Sequence, residues 1–188
     1  MNKAQNATYK LVSAAVVAAL YAALTYALSF MSYDAIQFRV AEVLCILPLF
    51  MPSSVAGLFV GCILANLASP FGLIDVVSGS FATLLAALCT YYIGRSAARR
   101  GESPNWSECI AACAMPVIFN MPIVGAVLSY MLTPDSFWGS FPIFALEVGA
   151  GEAAVMFFLG LPLLRFLLKR PRYLAFLRRG AGADGRSV

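Results

Sequence analysis

The sequence predicts an all-α membrane protein with six transmembrane helices and both termini in the cytoplasm. The chain of 188 residues is 61% hydrophobic and only 12% charged, whereas soluble domains have roughly a quarter of their residues charged. Apolar sequence runs almost without a break from Leu11 to Leu168. These features predict one transmembrane domain at 11–170, between a cytoplasmic N-terminus at 1–10 and a basic cytoplasmic tail at 171–188.

Apolar length and the positions of proline set the boundaries of the predicted helices. They span about 11–31, 41–51, 54–68, 73–95, 108–132 and 142–169. The second helix reaches only ~16 Å, about half of the hydrocarbon core. Pro48 and the break at 52–54 favour two short helices, because proline removes a helical hydrogen bond and clashes with the preceding turn. The alternative is a single helix at 41–68, which leaves five spans and an outer N-terminus.

The distribution of basic residues predicts the orientation in the membrane. Seven of the 13 Lys and Arg residues lie within 165–186, and three more lie within 95–100. Cytoplasmic segments of membrane proteins are rich in Lys and Arg. Six spans place every cation except Arg39 inside, and five spans place every cation except Lys3 and Lys10 inside. Charge therefore separates the two topologies poorly, and the proline break favours six.

Residue content argues against catalysis by this chain. It contains no His, which excludes histidine metal ligands and histidine proton relays. Its five Cys residues are odd in number and lack zinc-like spacing. No phosphate-binding GxxxxGK[ST] motif occurs, and no Ser or Cys has a His base. We therefore expect neither a metal nor a cofactor, and no ATP hydrolysis by this chain.

The few polar residues within the apolar sequence gather toward the predicted outer side. The group consists of Arg39, Glu42, Asn66, Asp75, Asn120, Glu147 and Glu152. Such side chains are costly in hydrocarbon unless partnered, so they mark a functional site. A channel needs polar groups through the whole depth, whereas these favour a blind pocket open to the outside. Since four acids face one cation, the ligand should be cationic or rich in N–H donors.

Structural alternatives exist for the residues at the helix starts and turns. Arg39 and Glu42 are three residues apart at the start of a helix, so they can pair with each other. Asn66 and Asp75 flank the turn at 69–72 and can cap helix ends. For these four residues, a ligand contact and a structural role both remain open.

The deeper polar residues have fewer structural alternatives. Asn120 precedes Met121 and Pro122, so its amide can satisfy the carbonyl that the proline leaves unpaired. Glu147 and Glu152 point about 140° apart on a regular helix, so each needs its own interior partner. Both carboxylates are therefore predicted ligand contacts.

Small residues form two ladders along the first helix. One ladder is Ala14, Ala18 and Ala22, and the one beside it is Ala15, Ala19 and Ala23. Such a face lets another helix approach closely. The ladder can pack inside the chain or dock to a partner subunit, and the sequence alone leaves both interpretations open.

Several segments resemble the QueT family, the substrate-binding (S) components of energy-coupling-factor transporters assigned to queuosine precursors. They are IQFRVAEVL at 36–44, ILPLF at 46–50, NLASPFGLID at 66–75, GSFATL at 79–84 and EVGAGE at 147–152. The resemblance covers about residues 10–170. The family usually has Ser where this chain has Ala41.

The resemblance implies an S-component-like bundle in the bacterial cell membrane. It implies capture of a 7-deazaguanine such as preQ1 or queuine on the outer side. The implied partners are a transmembrane T component, docked on Ala14, Ala18 and Ala22, and two cytosolic ATPases. A different vitamin is the alternative ligand. A membrane-embedded enzyme or a structural assembly protein is the alternative class.

The implied ligand assigns roles to the acids and amides. A 7-deazaguanine presents a ring N–H beside an exocyclic amine, and one carboxylate accepts from both. Glu147 is predicted for this role, with Glu152 in reserve. Asn120 or Asn66 would donate to the ring carbonyl.

Two further contacts follow for the aminomethyl precursor. Its ammonium group would need a second acid, which the sequence offers as Asp75 or Glu42. Its flat ring would stack on an aromatic side chain, Phe38 or Phe71. These two contacts complete the predicted site.

Overall fold

The computed structural model describes residues 3–28 and 38–178, and these two ranges contain helices and no strand. The long helices are α1 (Lys3–Ala27), α2 (Ser54–Asn66), α3 (Leu73–Arg99), α4 (Trp106–Leu132) and α5 (Phe137–Val155). The shorter elements are a 3₁₀ helix (Val40–Leu49), a 3₁₀ turn (Pro134–Ser136), a π-helical turn (Met156–Gly160), α6 (Leu161–Leu168) and α7 (Pro171–Arg178). The predicted all-α class is confirmed.

Four described segments are long and apolar enough to cross a membrane. They are Ala4–Ala27, Leu73–Arg99, Trp106–Leu132 and Pro134–Leu168. The helices Val40–Leu49 and Ser54–Asn66 are apolar but shorter, so neither alone spans a hydrocarbon core of about 30 Å. These features fit a multi-pass membrane protein. Six complete spans and the side of each terminus stay predictions.

The predicted break between two short helices is present. The 3₁₀ helix ends at Leu49, the chain turns through 50–53, and α2 begins at Ser54. The 3₁₀ helix contacts α1, α3, α4 and α5, and most of its side chains are buried. A 3₁₀ helix is more tightly wound than an α-helix, so this segment takes up little width among its neighbours. This segment carries Glu42 into the interior.

Helices α1 and α2 approach closely through small residues. A Cβ atom at Gly57 would lie 2.5 Å from the carbonyl oxygen of Ala14, and one at Gly61 would lie 2.9 Å from that of Ala18. Ala18 and Ala22 are buried. The ladder predicted to dock a partner, Ala14–Ala18–Ala22, therefore packs against α2 within the chain, because the two glycines have no side chain that would keep the helices apart. The exposed ladder is Ala15, Ala19 and Ala23.

The last long helix begins earlier than predicted. Helix α5 starts at Phe137 rather than near 142, includes Pro142 near its start, and continues through the π-helical turn to Leu168. Glu147 and Glu152 thus lie roughly 15 Å and 22 Å along the helix from Phe137, against ~8 Å and ~15 Å expected from the later start. Both acids lie deeper along the helix than the sequence indicated.

The remaining boundaries differ from the prediction only near the helix ends. Helix α1 begins at Lys3 instead of about 11, and residues 29–31 of the predicted first helix lie outside the described residues. Helix α3 continues to Arg99, and α4 begins at Trp106. The first turn of α4 is fixed by a capping box, in which Asn105 accepts from the Glu108 backbone N–H and Glu108 accepts from the Asn105 N–H.

Candidate functional site

The structure brings most of the predicted polar residues into one buried cluster. Arg39, Glu42, Asn66, Asp75, Asn120 and Glu152 are each at most 2% exposed. The 3₁₀ helix, which carries Glu42, contacts α5, which carries Glu152. The cluster therefore joins the 3₁₀ helix to α5, and its other members come from α2, α3 and α4.

Arg39 and Asp75 form a buried ion pair. Arg39 Nη2 lies 3.5 Å from Asp75 Oδ2, but the contact does not have hydrogen-bond geometry. Within the described residues, Arg39 Nε and Nη2 and both Asp75 carboxylate oxygens have no hydrogen-bond partner. The alternative in which Arg39 pairs with Glu42 is not what the structure shows. The pair that forms keeps unused donors and acceptors.

Asn66 holds α2 against the start of α3. Its Nδ2 donates to the Asp75 backbone carbonyl at 3.1 Å and to Cys62 Sγ at 3.4 Å. A Cβ atom at Gly79 would lie 2.6 Å from this Nδ2 and 3.5 Å from Arg39 Nη1. The absence of a side chain at Gly79 therefore lets Asn66 and Arg39 lie against α3. Gly72 occupies the N-cap position of α3, and no side chain caps that helix. The capping alternative for Asp75 is therefore wrong.

Glu42 is the best-satisfied acid of the cluster. It accepts hydrogen bonds from Tyr21 Oη at 2.5 Å, from Thr83 Oγ1 at 3.0 Å and from Cys45 Sγ at 2.9 Å. These bonds tie α1 and α3 to the 3₁₀ helix. Because protein donors already surround this carboxylate, Glu42 is poorly suited to the predicted ammonium contact. We assign it to positioning the 3₁₀ helix that begins beside Arg39.

Asn120 and Glu152 pair across α4 and α5. Asn120 Nδ2 donates to Glu152 Oε1 at 3.3 Å. The amide therefore bonds to the carboxylate of Glu152 rather than to the backbone carbonyl left unpaired by Pro122. Asn120 Oδ1 has no hydrogen-bond partner in the described part of the chain. Glu147 is half-buried, and its Oε2 is buried without a hydrogen-bond partner among the described residues. Glu147 therefore keeps a buried acceptor without a protein donor in the described ranges.

The two predicted stacking residues differ in their surroundings. Phe71 is half-buried and packs against the cluster of Val124, Leu128 and Val148. Phe38 is half-buried and directly precedes Arg39. Phe71 thus packs in an apolar cluster, whereas Phe38 is next to Arg39 in the chain, and stacking by either ring stays a prediction.

The acids of the cluster outnumber its one cation, Arg39. Arg39 opposes Asp75, and Glu42 is surrounded by hydroxyl and thiol donors. No ion pair within 3–28 or 38–178 involves Glu147 or Glu152. A carboxylate buried away from a cation favours a ligand that brings N–H donors or positive charge.

Long apolar helices surround a buried polar cluster, as is typical of a multi-pass membrane protein. The chain matches the family model described as "QueT transporter" over residues 11–169 and belongs to the QueT transporter family. It is 41% identical over 80 residues to a protein named Queuosine precursor transporter QueT from Lactococcus lactis subsp. cremoris (strain MG1363). That match covers 42% of this chain and 47%, about half, of the relative. No solved structure matches the chain.

Proposed function

We propose that the chain is the substrate-capture subunit of an energy-coupling-factor importer and that it binds a queuosine precursor on the extracytoplasmic side of the bacterial cell membrane. Membership of the QueT transporter family and the name of its relative support this substrate class. The structural observation that carries the proposal is the pair of α5 acids, Glu147 and Glu152, which have no cation partner within the described ranges.

The proposed ligand complements these acids. A 7-deazaguanine offers a ring N–H and an exocyclic amine on one edge, and a carboxylate accepts from both at once. Glu147 supplies this carboxylate, since its Oε2 is buried and unpartnered. Glu152 lies deeper along α5 and is oriented by Asn120. The acids of α5 therefore bind the amine edge of the ring.

The basic residues support an opening on the outer side. Asp75 is the third residue of α3, whereas Arg95 and Arg99 lie in its final turns. Arg165 lies in the last turn of α6, and Lys169 and Arg170 directly follow that helix. Since Lys and Arg accumulate on the cytoplasmic side, this distribution favours an outer position for the start of α3 and a site that fills from outside the cell.

Ligand identification tests the proposal directly. The full chain should be purified in detergent, its co-purifying small molecules identified by mass spectrometry, and binding measured by calorimetry. We expect a 7-deazaguanine in the first experiment and saturable binding of preQ1 or queuine in the second. Binding of an anionic vitamin in place of any 7-deazaguanine, or of no solute at all, would contradict the proposal.

Uptake against a gradient also requires an energy source outside this chain. The sequence lacks a phosphate-binding loop, so the proposed partners are a T component and two cytosolic ATPases. We place the T-component contact on the exposed side of α1. This side carries the ladder Ala15, Ala19 and Ala23, with Leu11, Val12, Val16 and Leu20 also exposed.

The two neighbouring ladders give a matched pair of variants. Ala19→Leu should leave the melting temperature of the isolated chain unchanged and reduce co-purification of the T component, because its side chain adds bulk only to the exposed face. Ala18→Leu should lower the melting temperature, because Ala18 packs against Gly61. Normal co-purification of the Ala19→Leu chain would contradict the docking surface.

A further inference from the structure

The hydrogen bonds of the cluster show which groups remain for a ring carbonyl. Asn66 already uses both of its N–H groups, because Nδ2 donates to Cys62 and to the Asp75 backbone carbonyl. Asn120 Nδ2 donates one N–H to Glu152 and has a second. The Oδ1 oxygens of both amides lack a partner among the described residues, but they accept and do not donate. The amides thus leave one neutral N–H at most for a ring carbonyl, which favours a further donor.

The orientation of the Asn66 amide is fixed by its surroundings. If the amide were reversed, Oδ1 would face the backbone carbonyl of Asp75, placing two acceptors against each other at 3.1 Å. The observed orientation instead pairs a donor with that carbonyl. Asn66 thus has no N–H left for a ligand.

Arg39 is the charged buried donor of the cluster. Its side chain is 3% exposed, and both Nε and Nη2 are buried without a hydrogen-bond partner in the described ranges. Nε and Nη2 form one edge of the guanidinium fork, which can hold an acceptor with two parallel N–H groups. Leaving buried charged donors unpaired is unfavourable, so this edge is suited to an acceptor on a bound molecule.

Asp75 provides acceptors directly beside this edge. Its two carboxylate oxygens lack hydrogen-bond partners among the described residues, and Oδ2 lies 3.5 Å from Arg39 Nη2. A free donor edge thus stands next to a free acceptor. The complementary ligand has a carbonyl close to an N–H or ammonium group.

We infer that Arg39 determines specificity by donating to the ring carbonyl of a lactam heterocycle, while Asp75 accepts from a nitrogen beside that carbonyl. The inference rests on the proposed function and refines it. In the aminomethyl precursor the side arm starts on the ring carbon next but one to the carbonyl carbon, which suits Asp75 to its ammonium. Glu147 then accepts from the amine edge of the same ring.

A pair of ligands that differ at the carbonyl and at the neighbouring ring nitrogen tests the inference. In 2,6-diamino-7-deazapurine an amine replaces the carbonyl of 7-deazaguanine, so a donor faces Arg39. The adjacent ring nitrogen also loses its proton, so Glu147 loses one donor, and the Arg39 variants are needed to isolate the contribution of Arg39. Calorimetry on the full chain in detergent should show 7-deazaguanine binding at least ~30-fold more tightly, because the analogue leaves a buried charged donor unpaired. Comparable affinities of the wild-type chain for both ligands would overturn the inference, whatever the variants do.

Variants of Arg39 supply the second arm. Arg39→Gln should reduce the preference for the carbonyl ligand at least ~5-fold relative to the wild-type chain, because a glutamine oxygen accepts from the replacement amine. The part of the preference that depends on Glu147 and the ring N–H should remain. Arg39→Lys keeps a positive charge opposite Asp75 but loses the fork, so it should retain the fold and an intermediate preference. Arg172→Gln, at an exposed position, is the matched control and should change nothing.

The outcomes separate the inference from the proposed function. If the wild-type chain binds neither ligand, the proposed function fails. If it binds 7-deazaguanine but folded Arg39→Gln protein keeps the full preference, only the role of Arg39 fails. A melting curve on each variant establishes that it is folded before its affinities are compared.

Discussion

Alanine in place of Gly94 should destabilise the folded chain by about 2 kcal/mol or more, because it forces two backbones apart. A Cβ atom at this position of α3 would overlap the carbonyl oxygen of Leu49 and lie 2.6 Å from its Cα atom. Alanine is favoured over glycine in a helix by about 1 kcal/mol, so helix propensity alone predicts the opposite sign. The overlap with backbone atoms, which cannot rotate away, decides the result.

The melting temperature in detergent and the yield of monodisperse protein measure this effect. Gly160→Ala is the matched control, because the nearest atom to its Cβ would be the flexible Met156 methyl carbon at 3.3 Å. The control should melt close to the wild-type temperature. A Gly94→Ala chain that melts at or above the wild-type temperature would show that the 3₁₀ helix does not pack against α3 at Leu49.

Much of the fold was accessible from the sequence, because helix length and apolar content are local properties. The break at 50–53 followed from Pro48 and Pro52 alone. The 3₁₀ form of Val40–Leu49 was not predicted, because it depends on close neighbours such as Gly94, which belongs to another helix. The early start of α5 was not predicted: the helix begins at Phe137 and includes Pro142.

The internal packing of the Ala14–Ala18–Ala22 ladder was predictable from a second small-residue face in the same chain. Gly57 and Gly61 are four residues apart on α2 and form a matching small-residue face. The structure places them against Ala14 and Ala18. Two complementary ladders in one chain indicate internal packing more strongly than one ladder indicates a partner.

The members of the site were easier to predict than their partners. Buried charge in apolar sequence is unfavourable wherever it occurs, so Arg39 and Asp75 stood out from composition. Spacing along one helix suggested that Arg39 would pair with Glu42, but the actual partner comes from α3. Tyr21 and Thr83 were missed, because hydroxyl groups in apolar helices are common and often bond their own backbone.

Glutamine in place of Glu147 should weaken binding of 7-deazaguanine at least ~10-fold, because an amide replaces a charged bidentate acceptor with one oxygen and an opposing donor. Glu147 is half-buried, and the change adds no atoms, so the fold should be retained. Calorimetry measures the affinity, and the melting temperature without ligand establishes the fold. Glu102→Gln makes the same chemical change at an exposed loop position and should bind normally.

The same substitution at Glu152 distinguishes the two acids of α5. A glutamine there keeps an oxygen that can accept from Asn120, so local structure should survive while the buried negative charge is removed. If Glu147 holds the amine edge, Glu152→Gln should cost less affinity than Glu147→Gln. A larger loss at Glu152 would transfer the role to the deeper acid. Normal binding by both variants would show that the ligand does not contact the acids of α5.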